Sequence, residues 1–333
     1  MNNTDWINEI INNKERCTIP IMTHPGIEMI GCTVKDAVRD GEVHARAIKV
    51  LSEKFPSKAV TVIMDLTVEA EAFGCSIEFP EHDMPHITGR LVDSFDAVER
   101  LKVPDLSAGR VPEYLKANRM AVEIITDKPV FAGAIGPFSL AGRLYDMSEI
   151  MIACYLEPET INLLLDKCTQ FIQSYCLELK RIGCAGVILA EPAAGLLSND
   201  DCMRFSSVYI KRIVDKVQDD SFMVVLHNCG NTGHCTEAMV WTEANAYHFG
   251  NAINMVAALE ACPSDTLVMG NIDPVGVLRM MEREQVENEV TSLLEQTKDF
   301  PNFVLSTGCD VPTNVPVENI HAYYKALSMF NSK

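Results

Sequence analysis

Met223-Val224-Val225-Leu226-His227-Asn228-Cys229-Gly230 carries four apolar residues straight into a His-x-Cys pair. The apolar run is short, partly β-branched, and closed by Gly230, Asn231 and Gly233, the pattern of a buried strand that ends in a loop. Side chains alternate along a strand with period two, so His227 and Cys229 face the same side. Imidazole and thiolate are both good zinc ligands. The pair reads equally well as a core histidine beside an inert thiol, because structural zinc sites have four ligands and this stretch offers two.

The elements that must position the pair follow from the rest of the chain. It has 333 residues, 47% hydrophobic and 22% charged, enough for a large core. Barrels of alternating strands and helices are common as one domain at this length. The formal net charge of -18 argues against nucleic acid and anionic membrane surfaces as partners. No apolar stretch approaches a membrane span, and the first residues show no basic-then-apolar signal pattern. Twelve scattered cysteines form no disulfide framework in a chain that needs no staples, which reads as a reducing cytoplasm.

Eight apolar runs read as strands: Ile19–Met22, Ala59–Met64, Pro129–Ala134, Gly186–Ala190, the run at Met223, Ala246–Phe249, Thr266–Met269 and Phe303–Ser306. Thr23-His24-Pro25-Gly26 reads as a turn, and Thr33 with Asp36 as a capping box. Ile161, Leu164, Leu165, Cys168, Phe171, Ile172 and Tyr175 share one face of a helix over residues 158–181, with Pro158 near its start and Gly183 past its end. Residues 70–128, including the helical stretch Pro112–Ile125, break the rhythm and read as an insertion after the second strand, placed to cover the mouth. The expectation is a single (β/α)8 TIM barrel over residues 1–333. An open doubly wound sheet would carry a Gly-rich phosphate loop after its first strand, and none is present.

Polar residues stand where these strands stop: His24, Asp65, Glu191, His227, Cys229, His248, Asn271, Asp273 and Cys309. In a barrel such ends converge on the catalytic face. Asp65 and Asp273 read at least as well as turn caps. His248, on the weakest strand, reads as a core histidine. His24, Glu191 and Asn271 are the expected substrate contacts. Glu191 is open between an ammonium partner, a fourth zinc ligand and a structural carboxylate.

Three segments occur in one order: Gly136-Pro137-Phe138-Ser139-Leu140-Ala141-Gly142, His227-Asn228-Cys229-Gly230-Asn231, and Thr307-Gly308-Cys309-Asp310-Val311-Pro312 followed by Pro316-Val317-Glu318-Asn319-Ile320. They resemble the uroporphyrinogen decarboxylase superfamily over residues 19–330, and within it the zinc-dependent methylcobamide:coenzyme M methyltransferases. The resemblance implies zinc on His227, Cys229 and Cys309, and a methylcorrinoid donor carried by a corrinoid protein. It also implies a small thiol acceptor, coenzyme M or homocysteine, that takes the open zinc position. The zinc-bound substrate thiol would be the nucleophile, with no protein nucleophile. Zinc ionises a thiol at neutral pH, and a three-ligand site is the catalytic form.

The decarboxylase branch of that superfamily carries an arginine-rich loop after the first strand. Here Met22–Gly26 has no arginine, so a decarboxylase ranks second, and a non-catalytic zinc- or corrinoid-binding accessory protein third. No Asp-x-His-x-x-Gly corrinoid motif occurs, so the corrin is expected from a partner or from solution. Cys235, six residues beyond Cys229 with His234 beside it, offers a local third ligand. Cys309 is favoured because it ends a strand on the catalytic face, whereas a loop-borne set would be closed and structural.

Overall fold

The computed structural model describes residues 2–333. Nine strands occur: β1 (Val60–Thr61), β2 (Ser76–Glu78), β3 (His86–Thr88), β4 (Val130–Ile135), β5 (Gly186–Ala190), β6 (Met223–Asn228), β7 (Ala246–Phe249), β8 (Leu267–Ile272) and β9 (Phe303–Thr307). Seven of them form one parallel sheet in the order β1-β4-β5-β6-β7-β8-β9. β2 and β3 make a separate antiparallel hairpin.

The expected first strand, Ile19–Met22, is not a regular strand. Residues 17–22 instead form an extended segment wedged between β9 and β1. Ile19 N–H donates to the Leu305 carbonyl at 3.0 Å, Leu305 N–H to Cys17 at 3.2 Å, and Lys58 N–H to Thr18 at 2.9 Å. Pro20 has no N–H to give a ladder, which limits the pairing. The segment still fills the eighth position and closes the barrel. The second strand is also shorter than expected. After Val62, its next donor, Ile63 N–H, goes to the buried His44 Nε2 at 3.0 Å rather than to a neighbouring strand. Burial holds that imidazole neutral, its pKa lowered to about 3.

The interior is layered as period-two alternation requires. Ile19, Ile21, Phe131, Ile188, Met223, Val225, Ala246, Leu267, Met269 and Val304 point inward and form one buried cluster with Trp6, Ile7 and Ile10. Those last three come from the helix Asn3–Asn12, which seals the N-terminal end of the barrel. Asn3 anchors it beside the start of β6, its N–H donating to Asp220 at 2.7 Å and its amide to Asp219 at 2.9 Å.

The helix Pro158–Ile182 has the expected apolar stripe fully buried and ends at Gly183 with φ of 105°. The insertion after the second barrel position is smaller than expected. The helix Val111–Ile124 leads directly into β4 and packs on the helix Gly41–Lys54, where Gly41 N–H donates to Glu113 Oε2 at 2.8 Å. It is a barrel crossover helix, hidden from the periodicity because the hairpin β2–β3 and the helix Phe95–Arg100 separate it from β1. Met84, in the hairpin loop, reaches His24 at the mouth, with Sδ 3.2 Å from Nε2. The expected turn at Thr23–Gly26 is the start of a helix, His24–Met29, with Pro25 in its first turn. No helix among the described residues is long and apolar enough to cross a membrane.

The seal at the N-terminal end is testable. Trp6→Ala removes a buried aromatic from the barrel interior and is expected to cost about 3–5 kcal/mol in urea unfolding. A cost below about 1 kcal/mol would mean that the helix does not fill the barrel end in solution.

Candidate metal centre

β6 presents His227 on the same inward face as Met223 and Val225, one layer nearer the C-terminal mouth. Cys229 follows in the first loop residues, and Cys309 lies just past β9. One ligand atom from each of His227, Cys229 and Cys309 lies within 4.8 Å of the others. His227 is buried, while the two thiols are half-buried at the mouth. Zinc at about 2.3 Å from sulfur and about 2.0 Å from nitrogen spaces its donors by about 3.5–3.8 Å, so the trio needs to contract by at most about 1.3 Å. The donor types and the half-exposed thiols fit such an ion.

Two glycines let the three loops meet. A Cβ on Gly250, just past β7, would sit 2.7 Å from the Cys229 Cα. A Cβ on Gly308 would sit 2.6 Å from the Asn251 backbone nitrogen. The loops after β6, β7 and β9 therefore stack backbone on backbone, which brings Cys229 and Cys309 together. The interaction between the two thiols lowers the pKa of Cys229 and, with burial, raises that of Cys309.

Behind His227 lies a buried polar chain. His227 Nδ1 is 2.8 Å from His248 Nδ1, and His248 Nε2 is 2.8 Å from Ser306 Oγ. Ser306 donates to the Ile19 carbonyl at 2.7 Å. His248 is a satisfied core histidine, as its weak strand suggested, yet what it satisfies is the candidate ligand. Burial, and then His227, hold it neutral. The signal missed in the sequence is register: His227 and His248 are paired positions on adjacent strands.

The other expected contacts lie outside the trio. Glu191 accepts from Ser139 N–H at 2.6 Å and so caps the helix Pro137–Tyr145. Its other oxygen has no partner, and burial pushes its pKa up to about 8. Asn271 donates to the Gly250 and Ile253 carbonyls at 3.0 and 2.9 Å, pinning the loop that lies on Cys229. His24 Nδ1 lies 3.2 Å from the Val311 carbonyl and 4.0 Å from Asp310 Oδ2, on the far side of the Cys309 loop. Cys235 is buried with its sulfur 3.3 Å from the Leu197 carbonyl, and His234 Nε2 is 3.0 Å from the same oxygen. Neither belongs to the group that holds Cys229.

Asp65 and Asp273 both cap turns. Asp65 accepts from Thr67 N–H at 3.0 Å, and Asp273 from Val275 and Gly276 N–H at 2.9 and 2.8 Å. Asp65 also takes a buried ion pair from Arg110 at 2.5 Å and the Tyr114 hydroxyl at 2.9 Å. Glu69 went unnoticed in the sequence. It is buried, accepts from Ile135 N–H at 3.0 Å through one oxygen, and leaves the other without a partner.

A family model described as uroporphyrinogen decarboxylase (URO-D) matches residues 17–330. The methylcobamide:CoM methyltransferase MtbA of Methanosarcina acetivorans is 27% identical over 321 residues, covering 91% of this chain and 89% of that protein. MtbA of Methanosarcina mazei is 28% identical over 311 residues, covering 88% and 86%. The solved structure of a methyltransferase from Methanosarcina mazei superposes with a TM-score of 0.88 over 99% of each chain, at 22% identity, and so shares the fold.

Two outcomes are expected from this geometry. Gly250→Ala forces the Cys229 backbone aside and is expected to reduce zinc uptake while the far-ultraviolet circular dichroism stays that of the parent; undiminished uptake would show that the loops need no such close approach. Burial raises the Glu69 pKa from 4.5 to about 7, so the fold favours its neutral form. Its contribution to stability is therefore complete below about pH 4.5 and is lost as the pH rises through about 7. Unfolding free energies from urea titrations should fall across that window by on the order of 1 kcal/mol per pH unit, and Glu69→Gln should flatten the fall.

Proposed function

The chain belongs to the uroporphyrinogen decarboxylase (URO-D) family, and from that premise we propose that it is a methyltransferase carrying a methyl group from a methylated corrinoid to a small thiol. Coenzyme M and homocysteine are acceptors of the right kind. The observation that carries the reading is the meeting of His227, Cys229 and Cys309 at the mouth of the barrel. One nitrogen and two sulfurs make a zinc donor set with three protein ligands, one short of a tetrahedral shell. When bound, zinc supplies the ionisation of an incoming thiol at neutral pH.

The transfer forms a sulfur–carbon bond and breaks a cobalt–carbon bond. The electron pair of the broken bond stays on cobalt, and the thiol proton leaves to solvent. The chain's own part is to hold the donor set rigid from β6 and β9 and to leave its open side toward the mouth. No protein side chain has to be alkylated. The names of the MtbA relatives, methylcobamide:CoM methyltransferases, support this donor and acceptor class. The corrinoid is expected on a partner protein or from solution, since the sequence has no corrinoid motif of its own.

The family name raises decarboxylation as the alternative. A macrocycle bearing many carboxylates calls for bidentate arginines at the mouth. Residues 22–26 open a helix with no arginine, and Arg110 is already committed to Asp65 and Glu71. Those observations favour thiol transfer. The third reading, an accessory protein that binds zinc or corrinoid without turnover, differs only in showing no catalysis.

The test is thiol-dependent demethylation of methylcobalamin with a panel of thiols, alongside metal analysis. About one zinc per chain is expected, with turnover and with no carbon dioxide released from uroporphyrinogen. Cys309→Ser is expected to lose both zinc and transfer, and Cys235→Ser to keep both. Protein that neither holds nor takes up zinc, or the reverse pattern in the two variants, would overturn the proposal.

A further inference from the structure

With one proton on each buried ring, the polar chain behind His227 admits one consistent set of proton positions. Its far end is the Ile19 carbonyl, which can only accept. Ser306 Oγ, 2.7 Å away, must direct its single proton there. Toward His248 Nε2, at 2.8 Å, the same oxygen can then only accept. A neutral imidazole has one ring proton, and in His248 it is therefore on Nε2. The His248 Nδ1 is left bare, 2.8 Å from His227 Nδ1. Two bare nitrogens at that distance would repel, so the proton between them belongs to His227. His227 Nε2 is left with a free lone pair, the form that can bind a metal.

We propose that His248 and Ser306 are positioning residues that hold His227 as its Nδ1–H tautomer and turn its Nε2 lone pair toward Cys229 and Cys309. The consequence for metal binding rests on the zinc reading above; the proton positions do not. Ser306 and His248 are fully buried and His227 nearly so, so no solvent competes along the chain. A ring without this support divides between two tautomers and two orientations, and only part of its population presents a lone pair to the metal. The device also ties the site to barrel closure. Ile19, whose carbonyl fixes the direction of every bond, belongs to the segment wedged between β9 and β1.

The chain has eight histidines, few enough for the imidazole nitrogens to be separated by nitrogen-15 spectra of the zinc-free protein. Signals are assigned by their loss in His227→Gln and His248→Gln. The expected result is a proton on Nδ1 and a bare Nε2 for His227, with the opposite for His248. Zinc affinity is measured in parallel by competition with a chromophoric chelator. His248→Leu keeps bulk but cannot accept a hydrogen bond, and is expected to weaken zinc by about 10–100-fold. His248→Asn puts an amide oxygen near the position of Nδ1 and is expected to recover most of that loss, which a merely structural role would not predict. Ser306→Ala frees His248 to take either tautomer, so His227 is expected to show both. A proton on His227 Nε2 in the parent protein overturns the proposal, as does a folded His248→Leu variant with undiminished affinity. Should that variant not fold, the Ser306→Ala spectrum decides, an unchanged His227 signal counting against the proposal. A parent protein that takes up no zinc refutes the metal reading instead, while the ring spectra still decide the tautomer.

Discussion

A parallel sheet that curls into a barrel has to hydrogen-bond its last strand to its first, and in this protein that closure is made by a segment barely regular enough to count as a strand. Residues 17–22 contribute a proline and only one bridge, between Thr18 and Leu305. The closure is reinforced by side chains. Thr18 Oγ1 donates to Leu305 at 2.8 Å and meets the Tyr323 hydroxyl at 2.6 Å, Ile21 N–H donates to Thr307 Oγ1 at 3.1 Å, and Ser306 reaches Ile19. Threonine and serine hydroxyls here stand in for ladder bonds that an irregular backbone cannot supply. The candidate centre depends on this, because Cys309 reaches the mouth only at the end of the strand so closed.

Two buried acids, Glu69 and Glu191, are bonded to backbone rather than paired in a salt bridge. Glu69 and Glu191 each bond one backbone N–H and leave one oxygen without a partner, and burial raises both pKa values. Neutral carboxyls are cheaper to bury than carboxylates. Asp65 follows the opposite logic, with Arg110, Thr67 and Tyr114 around it.

The barrel rhythm was legible because its strongest signals are local. Short apolar runs ended by polar residues, glycine or proline mark β4 to β9, and the buried stripe of the helix Pro158–Ile182 is written in its spacing. The capping box of Thr33 and Asp36 is present as read, with Asp36 N–H donating to Thr33 Oγ1 at 3.1 Å. Features set by distant partners were not legible. The segment 17–22 reads as a strand until its proline meets a neighbour, and the helix Val111–Ile124 reads as insertion until its seat on the helix Gly41–Lys54 is seen. At the site, the His-x-Cys pair announces itself, and a motif resemblance drew in Cys309. Nothing local in the sequence says that Glu191 caps a helix, that Asn271 pins a loop, or that His248 faces His227, since each of those contacts crosses strands.

The seating of residues 3–22 on strands far downstream has a consequence for synthesis. The helix Asn3–Asn12 and the segment 17–22 leave the ribosome before the strands that seat them. Asn3 waits for Asp219, 216 residues downstream, and Thr18 for Leu305, 287 residues downstream. At translation rates of about 5–20 residues per second, the second wait lasts about 15–60 s. Throughout it, Trp6, Ile7, Ile10, Ile19 and Ile21 have no barrel interior to enter. The nascent chain therefore carries these apolar residues unseated until β9 appears, a natural target for a holding chaperone and a point of vulnerability for chains released early.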